Sequence, residues 1–199
     1  MRRLWIAGAV IWLMLAPAFA KAMGPSEMVR GLADEAIAIL KTTEQKSPER
    51  GQRLENLFRD AMDIPFVGRF VMGRYWRTMS PAERDAYMKA FQRYVLTVYA
   101  GQLDEYSGES IQVTGSRAVD DRDTIVLTQL LRQNREPVAV DWRVRQIDGE
   151  AKVIDVSVEG VSMALSQRQE FASIVQREGV SGLIERLKSP APGDSGPLR

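Results

Sequence analysis

Between Pro25 and Gly108 apolar residues recur every third or fourth position, and beyond Gly108 they alternate, which divides the chain into a helical half and a strand half. Met28, Leu32, Ala36, Ile37 and Leu40 predict a helix from Pro25 to about Gln45. Ser47-Pro48-Glu49 caps a second, with Leu54, Leu57, Phe58 and Met62 on its apolar side. Asp63-Ile64-Pro65-Phe66 opens a short apolar helix that Gly73 breaks ahead of Tyr75 and Trp76. Ser80, Pro81 and Glu83 then form a capping box at the start of a long helix. Tyr87, Phe91, Tyr94, Val95, Val98, Tyr99, Leu103 and Tyr106 give that helix one broad aromatic face; Glu83, Arg84, Asp85, Lys89, Arg93 and Asp104 lie opposite, and Ser107-Gly108 ends it.

In the second half, Ile111 and Val113 begin a strand, Asp120-Asp121 turns, and Ile125 to Gln133 forms a second strand apolar on both sides. After the turn at Asn134-Arg135, Val138, Val140, Trp142 and Val144 share one face of a third strand, with Asp141, Arg143 and Arg145 on the other. Asp148-Gly149 is a type I′ hairpin signal, and Ile154, Val156 and Val158 return. The pattern predicts a four-stranded antiparallel meander, left at Glu159-Gly160-Val161-Ser162-Met163. Ser166 with Gln169 caps a helix carrying Phe171, Ile174 and Val175 that Gly179 ends, and a last short helix holds Leu183, Ile184 and Leu187. Helices, meander, helices describe an α+β layer with helices packed on one sheet face.

Composition narrows the chemistry. The chain has 199 residues and no internal repeat. Met1-Arg2-Arg3, the apolar run from Leu4 to Ala16 and Ala18-Phe19-Ala20 read as a Sec-type signal peptide over residues 1–20, which implies export. The formal net charge is +1, and losing Arg2 and Arg3 with the leader takes it to −1, without the basic excess that nucleic-acid binding demands. There is no cysteine, so burial alone stabilises an exported domain over residues 21–188. The Pro/Gly/Ser-rich stretch 189–199 reads as a disordered tail. Histidine is also absent, which removes Ser-His-Asp and Cys-His catalysis and nearly every zinc or transition-metal site. A binding protein without cofactor or metal, and not an enzyme, is the expectation.

Each candidate site also has a plainer role. Gly68 to Gly73 has the spacing of a phosphate loop, but Arg74-Tyr75 stands where Lys and Ser or Thr are needed. Asp120, Asp121 and Asp123 lack a distal Glu for calcium and read as a solvated hairpin tip; Asp141 beside Arg143 reads as a surface ion pair. Asp63, Asp141 or Glu159 would be the general base of an enzyme acting in an apolar cavity, with nothing to select one of them. Arg69, Arg74 and Arg77 bracket Tyr75-Trp76, either as a solvated basic edge or as a rim that meets an anionic head group. The aromatic stripe itself is either packed core or a cavity wall.

Two stretches, GRYWRTMSPAERDAYMKAFQRYV and VDWRVRQIDGEAKVIDVSVEGVSMALSQRQEF, resemble the MlaC or toluene-tolerance (Ttg2) family of periplasmic phospholipid-binding proteins over nearly the whole mature chain. The most specific matches are G-x-Y-W/Y before the capped helix, F-x-x-Y/F within it and E-G-V-S-M after the last strand. The resemblance implies an NTF2-like α+β fold around a deep apolar pocket for acyl chains, with the head group near the mouth. It implies carriage of phospholipid between an outer-membrane lipoprotein complex and an inner-membrane ABC transporter with its substrate-binding subunit. Val161 would line the pocket with Met163 beside it, and the apolar faces add Phe70, Tyr75, Phe91, Tyr94, Val95, Val98, Val140, Trp142 and Val156, with Trp142 at the centre of the sheet face that the aromatic helix opposes. A hopanoid carrier of the same family is the nearest alternative. An enzyme with a buried carboxylate and a filled-core adaptor are the others.

Overall fold

The computed structural model describes residues 23–103 and 108–189, the side chains of 99–103 excepted. The expected leader, Asp104, Tyr106, the side chains of Tyr99 and Leu103, and the tail from 190 onward lie outside the described residues. Helices α1 (Pro25–Thr42), α2 (Pro48–Ala61) and α3 (Ile64–Met72) lead through a 3-10 turn (Gly73–Arg77) to α4 (Pro81–Leu103). Strands β1 (Ser110–Ala118), β2 (Asp123–Leu131), β3 (Val138–Ile147), β4 (Glu150–Val158) and β5 (Val161–Ser162) form one antiparallel sheet in chain order, and α5 (Met163–Lys188) follows.

The expected α+β architecture is present, with a fifth strand that the alternation missed. Glu159 (φ 49°) and Gly160 (φ 79°) are both left-handed, and this tight turn brings Val161 back onto Val158 and Ser162 onto Ser157. Helix starts follow local chemistry. The Ser47 hydroxyl accepts from Arg50 N, Asp63 accepts from Phe66 N at 3.0 Å, and Glu83 accepts from Ser80 N at 2.8 Å while Ser80 accepts from Glu83 N. Each bond satisfies a backbone N–H that the helix itself leaves unpaired. Asp148 (φ 50°) and Gly149 (φ 87°) form the expected type I′ turn.

The start of α5 differs from the expectation. Ser162, four residues before Ser166, is the cap: its hydroxyl accepts from Leu165 N at 3.1 Å. Asp155 on β4 completes the cap by accepting from Ala164 N at 3.0 Å and from the Ser162 hydroxyl at 2.6 Å. Ser166 lies inside the first turn and donates to Ser162 O. Gly179 (φ 73°, ψ 176°) interrupts α5, and the segment beyond it buries Leu183, Ile184 and Leu187 as the pattern predicted.

Burial divides into a helical core, a sheet core and a small cluster of Ile39, Leu40 and Leu54 between α1 and α2. The described part of the α4 aromatic face packs on α3 and α5, where Tyr87, Phe91 and Tyr94 surround Phe171. Val126, Val144 and Val153 on the sheet are buried under Val29 and Leu32 of α1 and Ala61 of α2. Met62 packs against the helical and the sheet clusters. In α1 the buried stripe is Val29, Leu32, Ala33, Ile39 and Leu40; Met28, Ala36 and Ile37, expected on it, are half-buried at its margins.

Candidate functional site

The apolar sheet face has a covered end and a more open end. In register, Val140 pairs with Thr128 and Val158, and Trp142 with Val126 and Val156, so these side chains share the face that α1 crosses. Val126 and Val144 are fully buried there, whereas Leu130, Val138, Val140, Trp142, Val156 and Val158 are half-buried. Trp142 Nε1 donates to the Thr128 hydroxyl at 3.1 Å, and that hydroxyl donates to Val140 O. Both polar groups are thus satisfied within the sheet. The half-buried side chains around them, Leu130, Val138, Val140, Val156 and Val158, are hydrocarbon, which suits an apolar ligand.

The eleven expected lining residues do not converge on one cluster. Phe91, Tyr94 and Val95 are buried in the helical core, with Phe91 stacked on Tyr87 at 5.6 Å and meeting Phe171 edge-on at 6.2 Å. Phe70, Tyr75 and Val98 pack partly buried against the same core. Trp142 and Val156 belong to the sheet core, and Val140 adjoins them on the open end of the face. Met163 is buried, but Val161 is 54% exposed on β5, outside the interior position that the resemblance implies. The sequence missed Thr128, whose hydroxyl neutralises the indole, and no local signal marks it.

The expected rim residues Arg69, Arg74 and Arg77 are all exposed. Arg69 donates to Pro65 O, and Arg74 donates to the Tyr75 hydroxyl at 2.9 Å. That bond, helped by one from Gln176, lowers the Tyr75 phenol below its ordinary pKa. Tyr87 is the opposite case, its phenol pushed up by burial while it donates to Gly68 O at 3.0 Å.

Asp120 and Asp121 are exposed at the hairpin tip as expected, but Asp123 is not. Asp123 is fully buried and accepts from Arg143 Nε at 2.8 Å and from Arg145 Nε and Nη2 at 2.7 and 2.9 Å. Arg143 therefore pairs with Asp123 rather than with Asp141. The Arg145 hydrogen bonds, opposed by desolvation and aided by Arg143, hold the Asp123 carboxyl below its usual range. Of the three carboxylates weighed as bases, Asp63 caps α3 and Glu159 accepts from Ala139 N at 2.6 Å. Among the described residues, no group of three or more acidic side chains is placed to hold a metal, and no helix is long and apolar enough to cross a membrane.

The MlaC protein family model matches residues 30–189. This chain belongs to the MlaC family. It is 23% identical over 175 residues to the intermembrane phospholipid transport system binding protein MlaC of Haemophilus influenzae, covering 84% of this chain and 82% of that one. It is 26% identical over 167 residues to the toluene tolerance protein ttg2D of Pseudomonas putida, covering 79% and 76%. A solved structure described as the phospholipid-binding protein from Ralstonia solanacearum in complex with a phospholipid shares the fold, at a TM-score of 0.70 and 24% identity over 82% of this chain and 94% of that one. This MlaC-family chain thus carries the family's α+β architecture, with a hydrocarbon face on its sheet.

Proposed function

We propose that this chain is a periplasmic lipid carrier, exported by a cleaved leader, that holds phospholipid acyl chains in an apolar pocket of an NTF2-like fold. It would shuttle them between an outer-membrane lipoprotein complex and an inner-membrane ABC transporter with its substrate-binding subunit. The observation that carries the proposal is the half-open sheet face of Val140, Trp142 and Val156, whose one polar side chain donor is already bonded to Thr128. Family membership, the phospholipid transport named for the Haemophilus relative and the phospholipid held by the Ralstonia protein support it. Arg69, Arg74 and Arg77, exposed beside the partly buried Phe70 and Tyr75, are assigned to the head group. Phe91, Tyr94 and Val95 stay in the separate helical core, so the proposal rests on the sheet face.

The physics of transfer fits a carrier that performs no chemistry. Each buried methylene gains about 0.8 kcal/mol relative to water, so two acyl chains do not escape into solvent on a useful timescale. Relative to a bilayer the gain nearly cancels. Unloading then needs a docked membrane partner, and direction comes from that partner rather than from this chain.

The test is native mass spectrometry of the mature protein purified without detergent, followed by lipid extraction. A stoichiometric diacyl phospholipid is expected. A hopanoid would keep the carrier and change its cargo, and an empty protein that also takes up no lipid from vesicles would overturn the proposal.

A further inference from the structure

Four side chains form a ladder across the junction of sheet and helices. The Arg145 guanidinium lies over the Phe66 ring with 4.4 Å to its centroid, Phe66 stacks on Phe70 at 6.3 Å, and the Arg168 guanidinium lies over Phe70 at 5.2 Å. The ladder runs from β3 across the outer side of α3 to α5. The Arg168 guanidinium also approaches Gly73, whose φ of 53° favours glycine; a Cβ there would stand 2.9 Å from this exposed side-chain end.

The charges at the two ends differ. Arg145 is neutralised by the buried Asp123. Arg168 is exposed and, among the described residues, has no carboxylate within ion-pair distance. One turn before Arg168, Leu165 is 51% exposed. A guanidinium over a ring keeps N–H donors that can grip a carboxylate in bidentate fashion. Half-buried rings and an ordered arginine beside an exposed leucine have the make-up of a protein-docking hot spot.

We propose that the Phe66–Phe70–Arg168 surface, with Leu165 beside it, docks an acidic patch on a protein partner. A protein fits better than a bilayer because both rings are half-buried, each with an arginine over it, rather than presented as exposed anchors. The surface is separate from the apolar sheet face and does not rest on what that face holds.

The experiment places a photo-crosslinking phenylalanine analogue at Leu165 of the full chain in the cells that produce it, with one at the exposed Gln112 of β1 as control. A discrete protein adduct is expected at Leu165, joined at a stretch flanked by Asp or Glu. Its yield should fall at least tenfold in Arg168→Glu and in Arg168→Gln, persist in Arg168→Lys, and return when the nearest partner carboxylate is changed to Lys in the Arg168→Glu background. No protein adduct above the Gln112 control, adducts with lipid alone, or an adduct indifferent to the charge at 168 would overturn the proposal. Thermal melting of each variant controls for folding. Extracted lipid is measured on the same samples, so loss of docking with cargo retained is distinguished from failure of the carrier reading.

Discussion

Trp142 on β3 donates its indole proton to Thr128 on β2, and the two residues sit diagonally across the ladder on the apolar face. Thr128→Val keeps the shape of the side chain but leaves the half-buried indole N–H and Val140 O without that hydroxyl. An unsatisfied buried donor costs about 1–3 kcal/mol. The expected outcome is a loss of that size in urea melts. Trp142→Phe combined with Thr128→Val should lose less than the two single changes added together, because the second removes a group the first has already orphaned.

Asp123 makes a second prediction, with a defined dependence on pH. Its folded pKa is lowered, so the ionised carboxylate stabilises the fold fully above the unfolded value near 3.9, and that contribution is lost as pH falls through the folded pKa. Asp123→Asn removes the charge that Arg145 and Arg143 share in a buried position, at a cost of about 3–5 kcal/mol at pH 7. Equilibrium unfolding of both proteins should show the gap constant from pH 7 to about 5 and closing below about pH 4. A gap independent of pH would assign the effect to packing alone.

Two glycines should respond with opposite sign to the same substitution. Gly73→Ala places a Cβ against the Arg168 guanidinium in a left-handed conformation and should cost about 1–3 kcal/mol. Gly51 lies inside α2 with open space around it, so Gly51→Ala should stabilise by about 0.5–1 kcal/mol through helix propensity. Thermal melts of the two variants check both signs at once.

The sequence revealed most where the determinant is local. Ser47, Asp63 and the Ser80/Glu83 pair act within three residues, and Asp148-Gly149 within two, so their structures follow from the residues themselves. The Ser166/Gln169 pair also looked like a cap, yet it lost to Ser162. That residue lacks a carboxylate three positions on and obtains one from Asp155, a β4 residue brought near only by the fold. Asp123 was misread for the same reason: its partners lie 20 and 22 residues away, across a strand pair. Amphipathic periodicity told that α4 buries Phe91 and Tyr94, but periodicity carries no information about the partner surface. That surface is α3 and α5, with Phe171 supplying the ring at its centre. Val161 shows the corresponding limit for the site, since a family motif fixes a position in the chain and the turn at Glu159-Gly160 decides how exposed it is.

Val161 and Val140 therefore separate two versions of the lipid site. At 54% exposure, a glutamate in place of Val161 keeps its charge in water, so Val161→Glu should melt within about 0.5 kcal/mol of the parent. If the cargo rests on the open end of the sheet face, the same variant should also copurify with a full complement of lipid. Val140 is half-buried beside Trp142 on that face, and Val140→Glu sets a carboxylate against its hydrocarbon, opposite a Thr128 hydroxyl that already bonds Val140 O. A folded Val140→Glu protein should emerge with at least tenfold less bound lipid, whereas Val140→Leu should retain it. Lipid extraction and native mass spectrometry of the three variants read this directly. Loss of lipid from Val161→Glu alone would move the cargo to the β5 edge and away from Trp142.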